Sequence, residues 1–127
     1  MIDHVSLPVR ALAASALFYD GVLRAIGYAR LVERERTIGY GKRYAELWIN
    51  ARPDMAPAPG DSGAHVCLRA ASAGEVDAFH AAALRLGGSD DGPPGPRDHD
   101  GPGRTYYAAF VRDPDGNRVE AVTFLPG

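Results

Sequence analysis

The sequence predicts an α+β fold made of two tandem βαβββ modules, each combining a mixed sheet with one helix. Three observations lead to this prediction: an internal repeat, two segments with helical periodicity, and a β-hairpin late in the chain. A shift of 61 residues superposes His4 on His65 and Gly27 on Gly88 without a gap. The matches fall on strand starts and helix stops, as a duplicated module requires.

The length of 127 residues and the single cysteine set the overall frame. One domain is expected, with module 1 at about residues 1–53, a Pro- and Gly-rich connector at about 54–63, and module 2 at about 64–127. A net charge of −2 gives no electrostatic reason to expect nucleic acid, and no apolar run matches a membrane span. Without a disulfide or a recognisable signal peptide, a cytoplasmic protein is expected.

The first module begins with a strand over Ile2–Val9, in which apolar side chains alternate with others. A helix from about Leu12 to Ala25 carries an apolar stripe, and Gly27 is a natural stop after it. Three further strands are predicted at Tyr28–Arg34, Thr37–Gly41 and Tyr44–Asn50.

The second module repeats this order, starting with a strand over His65–Ala70. Ser72 and Glu75 have the spacing of a capping box, which predicts a helix running to about Leu86. The Gly- and Pro-rich residues 89–104 are interpreted as a loop with room for a short strand inside it.

Residues Tyr106–Phe124 are predicted to form the hairpin, with a tight turn at Asp113–Asn117. Past the turn, Glu120 stands in mid-strand among apolar neighbours, where glutamate is disfavoured. A buried carboxylate is costly unless it is paired or coordinates a metal ion. Glu120 is therefore the first candidate for a functional residue.

Each module has a histidine near the start of its first strand and a glutamate on its last strand. If the modules pack with approximate twofold symmetry, His4, His65, Glu46 and Glu120 converge. Two imidazoles and two carboxylates are a competent set for a divalent metal ion. Taken singly, each histidine is more simply explained as a core or surface residue, and each glutamate as part of an exposed face.

Further candidates share strand faces with these four residues. Two aromatic pairs are predicted to line a substrate pocket, or equally to belong to the core or a dimer interface: Tyr44 with Trp48, and Tyr106 with Phe110. Cys67 is a small pocket filler or a soft ligand, and Arg69 is a weaker candidate for contact with an anionic substrate. His99 lies in an Asp-His-Asp loop that is best explained as solvated.

The strand starts DHVSLPV and AHVCLRA, the DPDGN-x-x-E hairpin and the whole repeat resemble the vicinal oxygen chelate superfamily. This group contains glyoxalase I, fosfomycin and bleomycin resistance proteins, and extradiol dioxygenases. The resemblance implies paired modules whose sheets curve around a metal cavity, with helices outside, and a homodimer. It also implies His4, His65 and Glu120 as metal ligands, with Glu46 matching the fourth ligand that glyoxalase I adds.

The expected function is that of a glyoxalase-like lyase or isomerase that depends on Ni, Co, Zn, Mn or Fe. The metal ion would chelate vicinal oxygens of a small substrate, with Glu46 or Glu120 as proton shuttle. The glutathione-binding positions of glyoxalase I are not recognisable here. Alternatives are an Fe(II) extradiol-type dioxygenase, a metal-free drug-binding protein of the bleomycin-resistance kind, and a thiol or phosphonate transferase.

Overall fold

A computed structural model describes residues 1–98 and 104–126, and it confirms two βαβββ modules. The first module consists of β1 (Val5–Val9), α1 (Leu12–Arg24), β2 (Ala29–Glu33), β3 (Thr37–Gly41) and β4 (Leu47–Ala51). Its strands form a sheet in the order β1-β4-β3-β2. The β1–β4 pair is parallel and the other pairs are antiparallel, so the sheet is mixed as predicted.

The second module consists of β5 (His65–Arg69), α2 (Ala73–Arg85), β6 (Ser89–Arg97), β7 (Arg104–Arg112) and β8 (Arg118–Pro126). Its sheet has the order β5-β8-β7-β6, which repeats the connectivity of the first module. The predicted loop around His99 falls mostly outside the described residues. Neither helix is long and apolar enough to cross a membrane.

Residues 89–104, interpreted as a loop with room for a short strand, contain a longer strand than expected, because Ser89–Arg97 form β6. This strand lies at the edge of its sheet and pairs only with β7, so prolines without an N–H are tolerated there. Its register shifts on both sides of Gly92, as in a bulged edge strand. Proline and glycine in a sequence usually indicate a loop. The position of β6 at the sheet edge explains why these residues form a strand here.

The capping box of α2 is present as predicted. Ser72 Oγ accepts a hydrogen bond from the Glu75 backbone N–H at 3.2 Å, and Glu75 Oε1 accepts one from the Ala71 N–H at 2.9 Å. These bonds satisfy two backbone donors at the start of the helix. The helix is thereby fixed directly after β5.

The two modules meet through their helices. A Cβ added to Gly21 of α1 would lie 2.2 Å from Leu86 Cδ1, and one added to Gly88 would lie 2.7 Å from Phe18. These glycines let α1 approach the end of α2 closely, and one hydrophobic cluster includes residues of both modules. Strands of different sheets make no extensive contact in the described parts of the chain. Within the described residues, the main contact between the modules is therefore the one between the two helices.

Each sheet has one face under its own helix, and the opposite face is called here its open face. In β5, Val66 and Leu68 pack toward the core, while His65, Cys67 and Arg69 lie on the open face. Strand register places the following residues of β7 and β8 on the same open face: Arg104, Tyr106, Phe110, Glu120 and Phe124.

The Asp113–Asn117 turn connects the second module to the first. Asp115 Oδ1 accepts a 2.8 Å hydrogen bond from Arg10 Nε, and the Asn117 side-chain amide donates to the Pro8 carbonyl at 2.8 Å. Gly116 has a φ of +89°, a conformation that glycine adopts without strain. The hairpin turn thus holds the two modules in a defined orientation.

Candidate metal centre

The candidate centre is a histidine–glutamate pair on the open face of the second module. β5 and β8 are parallel neighbours, and Cys67 is the register partner of Glu120, so His65 lies one same-face position away. His65 Nε2 is 2.9 Å from Glu120 Oε1. Glu120 is 2% exposed, whereas the His65 side chain is 44% exposed. A buried carboxylate therefore forms the floor of the site, and an accessible imidazole covers it.

The second oxygen of this carboxylate has its own partner, because the Tyr106 hydroxyl donates a hydrogen bond to Glu120 Oε2. Both oxygens are thus satisfied, which explains how a mid-strand glutamate is tolerated. Burial, followed by this hydrogen bond to Glu120, raises the pKa of Tyr106 above its ordinary value. Tyr106 is therefore a neutral donor at physiological pH.

Cys67 completes the cluster, with its Sγ 3.9 Å from the Tyr106 hydroxyl oxygen. Cys67 is exposed as a residue, and the side chains of Tyr106 and Glu120 act on its thiol. Desolvation, followed by the negative charge of Glu120, raises the pKa of the thiol to about 11. Phe110 borders the same cluster, with its ring centroid 6.2 Å from that of His65.

His4 belongs to the open face of the first module. It precedes β1, and its Nδ1 lies 2.7 Å from Asp3 Oδ1. His4 lines an open cavity of about 540 Å³ together with Trp48 and Arg34, and the Arg34 guanidinium lies 5.1 Å from the Trp48 ring centroid. Trp48 lines this cavity, whereas Tyr44 is not among the lining residues and is 52% exposed.

Glu46 stands immediately before β4 rather than within it. Its Oε2 accepts a 2.7 Å hydrogen bond from the Tyr28 hydroxyl, and it is not among the residues that line the His4 cavity. Burial and the bond to Glu46 raise the pKa of Tyr28 above its ordinary value. Glu46 is therefore held by a partner within its own module.

Of the four predicted ligands, one chain brings only His65 and Glu120 into direct contact. Within residues 1–98 and 104–126, no group of three or more His, Cys, Asp or Glu side chains is arranged to hold a metal ion. The expectation that all four residues meet assumed that the two modules pack with approximate twofold symmetry. Within the described residues, the modules of one chain contact each other mainly through α1 and α2.

Sequence reasoning missed several residues that surround these sites. Arg104 and Phe124 lie on the same open face as Arg69, and both arginines contact the Phe124 ring. The alternation along β7 and β8 was the signal that places them there. Tyr28 has no comparable signal, because its partner Glu46 is 18 residues away in the sequence.

Over residues 1–121 the chain matches the Glyoxalase/Bleomycin resistance protein/Dioxygenase superfamily. Among solved structures, a glyoxalase/bleomycin resistance protein from Albidiferax ferrireducens T118 is 34% identical, with a TM-score of 0.80. That comparison covers 94% of this chain and 96% of the other. No curated protein gives a significant match.

Two more distant structures share the fold. A glyoxalase-related enzyme from Fulvimarina pelagi is 20% identical, with a TM-score of 0.70 over 96% of this chain and 86% of that one. The fosfomycin resistance protein FosX from Mesorhizobium loti is 19% identical, with a TM-score of 0.69 over 97% and 91% of the two chains.

Proposed function

Because the chain belongs to the glyoxalase/bleomycin resistance protein/dioxygenase superfamily, we propose that it is a glyoxalase-like enzyme dependent on a divalent metal ion. The proposed reaction is a lyase or isomerase step on a small substrate with vicinal oxygens. The observation that carries the proposal is the contact between His65 and the buried Glu120, 2.9 Å apart on an open sheet face.

The donor set fits a first-row divalent ion. Imidazole nitrogen and carboxylate oxygen are both ordinary ligands for such ions, and His65 Nε2 and Glu120 Oε1 already face one another. The hydrogen bond from Tyr106 fixes the other carboxylate oxygen and so supports the orientation of Glu120. Two donors are too few for a stable site, so further ligands are required.

We place the missing ligands on a second copy of the chain. The two modules of one chain meet mainly through their helices, so the ligands missing beside His65 and Glu120 are not supplied by contact between the two sheets. A homodimer that covers the open face of the second module with the first module of its partner would bring His4 and Glu46 of the partner subunit to His65 and Glu120. Members of this family commonly pair as dimers, and such a pairing is closed.

The roles of the two glutamates follow from how firmly each is held. Glu120 is buried and bonded through both oxygens, so it is assigned to metal binding. Glu46 is partly exposed, and Tyr28 is the one side chain that bonds it within the described residues, so it is assigned as the proton carrier. Its carboxylate would remove a proton from the carbon α to a carbonyl and return it to the neighbouring carbon. The bound ion would supply Lewis-acid stabilisation of the oxyanion.

Mixing two inactive variants tests both the metal site and its distribution over two chains. One variant carries His4→Ala with Glu46→Ala, and the other carries His65→Ala with Glu120→Ala. We expect neither variant alone to hold metal by mass spectrometry after chelator-free purification. Co-refolding them should recover about a quarter of the wild-type content, since about half of the dimers are mixed and each has one intact site.

Each other result has a definite meaning. Metal in the wild type without any recovery on mixing would place the site within one chain. Iron, together with oxygen uptake on a catechol, would favour the dioxygenase alternative. A wild-type protein that takes up no Ni, Co, Zn, Mn or Fe on reconstitution would overturn the enzyme proposal and leave the metal-free drug-binding protein.

A further inference from the structure

Two arginine side chains stack on one aromatic ring at an end of the second module's open face. The guanidinium carbons of Arg69 and Arg104 each lie 4.6 Å from the centroid of the Phe124 ring. The two cations can therefore be no further apart than twice that distance, and they repel one another. Within the described residues, neither guanidinium forms a hydrogen bond or an ion pair with the protein.

The other arginines on this face already have partners. Arg112 and Arg118 lie 3.3 Å and 3.7 Å from the Asp91 carboxylate. Arg97 donates to the backbone carbonyls of Pro93 and Pro96. Arg69 and Arg104 thus stand out on this face, because their guanidinium N–H groups have no acceptor among residues 1–98 and 104–126.

The arginine pair lies in line with the candidate metal centre. Arg69 is the register partner of Val122, and Phe124 is four residues beyond Glu120 on β8. At about 3.3 Å per residue, the pair therefore stands roughly 7–13 Å along the strand from Glu120. Tyr106 spans the interval, since its hydroxyl bonds Glu120 and its ring packs edge-on against Phe124 at 5.3 Å.

We propose that Arg69 and Arg104 form a subsite for a carboxylate or phosphate group on the substrate. Stacking on the ring leaves the edges of both guanidinium groups available for the paired N–H bonds that such anions accept. This inference rests on the proposed function, because it assumes that the vicinal oxygens of the same molecule bind at the metal centre. The substrate class is then a small anionic oxo or hydroxy compound whose charge is remote from the reacting oxygens.

A matched pair of chelators tests this subsite on the full-length protein loaded with Co(II). The probes are 3,4-dihydroxybenzoate and its methyl ester, which share two vicinal oxygens and differ in the remote charge. Their dissociation constants are measured from the visible cobalt spectrum. We expect the wild type to bind the acid at least about tenfold more tightly than the ester, as charge-assisted hydrogen bonds require.

Three variants distinguish specific binding at the two arginines from a nonspecific effect of the protein's net charge. Arg69→Gln and Arg104→Gln should each reduce the preference for the acid toward unity. Arg85→Gln removes the same charge from an exposed position at the end of α2 and should leave the preference unchanged. An equal change in all three variants, or the same affinity for acid and ester in the wild type, would overturn the subsite.

If the protein does not bind cobalt, the proposed function fails but the arginine subsite is still untested. A measurement without metal then tests the subsite. Titration of the chelator-treated protein with inorganic phosphate is then followed by calorimetry. Binding that is weakened in Arg69→Gln and Arg104→Gln, but retained in Arg85→Gln, supports the subsite. Absence of binding, or equal binding by all variants, refutes it.

Discussion

The hydroxyl of Tyr19, in the first module's helix, donates a 2.6 Å hydrogen bond to Asp113 Oδ2 in the second module's turn. Both side chains are buried, and the turn also bonds Arg10 and Pro8 of the first module. Burial, followed by the charge of Asp113, raises the pKa of Tyr19 well above its ordinary value. The acidic turn therefore acts at the junction of the modules as well as closing a hairpin.

Tyr19→Phe should lower the free energy of unfolding by about 1–3 kcal/mol, because it removes a donor from a buried carboxylate. Urea denaturation at neutral pH measures this change. Tyr107→Phe is the matched control, since its hydroxyl bonds Asp77 at 2.7 Å in an exposed position and its loss should cost far less. Equal destabilisation by the two variants would contradict the conclusion that the Tyr19–Asp113 hydrogen bond stabilises the contact between the modules.

The raised pKa of Tyr19 also predicts the alkaline behaviour. The unfolded chain releases this proton near the ordinary value of 10.0, whereas the folded chain retains it. The contribution is therefore complete below pH 10 and is lost as pH rises toward the folded pKa. Unfolding curves for wild type and Tyr19→Phe should converge above pH 10, and a constant difference would contradict the assignment.

Asp90 is expected to stabilise the protein in a pH-dependent way. The bond from His80 Nε2, at 2.8 Å, lowers the pKa of the Asp90 carboxyl, and the Gly92 N–H adds to this effect. A lowered carboxyl pKa gives stability that is present above the unfolded value and is lost as pH falls through the folded value. Asp90→Asn should therefore be less stable than wild type at pH 6, and the difference should vanish near pH 2. A difference that persists in acid would contradict this account.

Cys67 should alkylate slowly despite its exposure. With a pKa of about 11, few thiols are ionised at pH 8, and the thiolate is the reactive form. Iodoacetamide should modify the metal-free native protein about tenfold or more slowly than the urea-unfolded protein, with a rate that still rises above pH 9. Glu120→Gln should accelerate the native reaction, because it removes a negative charge beside the sulfur. Equal native and unfolded rates would refute the prediction.

Glu46→Gln separates proton transfer from metal binding. We expect turnover of an α-oxoaldehyde-type substrate to fall by about 10²-fold or more while metal remains bound. Glu120→Gln is the comparison variant and should instead lose metal, because Glu120 is a buried ligand bonded through both oxygens. Full turnover in Glu46→Gln with metal present would exclude the proposed shuttle.

The repeat was sufficient to predict both modules, because strand alternation and helix stops are local properties. The length of β6 was underestimated because Pro93, Pro94 and Pro96 oppose a strand everywhere except at an edge. How the two modules pack against each other could not be predicted from the sequence either. Contacts such as Gly21 against Leu86 join distant residues whose proximity has no periodic signal.

For the candidate site too, the sequence predicted which residues share a strand face but did not predict which residues of the two modules meet. Period-two alternation correctly put His65 and Glu120 on one face, because neighbouring parallel strands hold them in register. Equivalence within a repeat does not specify whether equivalent residues meet in one chain. Within the described residues of one chain, the side-chain hydrogen-bond partners of His4 and Glu46 are therefore Asp3 and Tyr28, which the repeat does not indicate.

The proline-containing β6 edge has a consequence for aggregation. A flat sheet edge is a template on which another chain can extend the sheet without limit. Here three of nine edge residues lack an N–H, and the register is broken around Gly92. An incoming strand would find an incomplete and distorted ladder, so this flank resists fibril-like growth while the sheet faces remain free to associate.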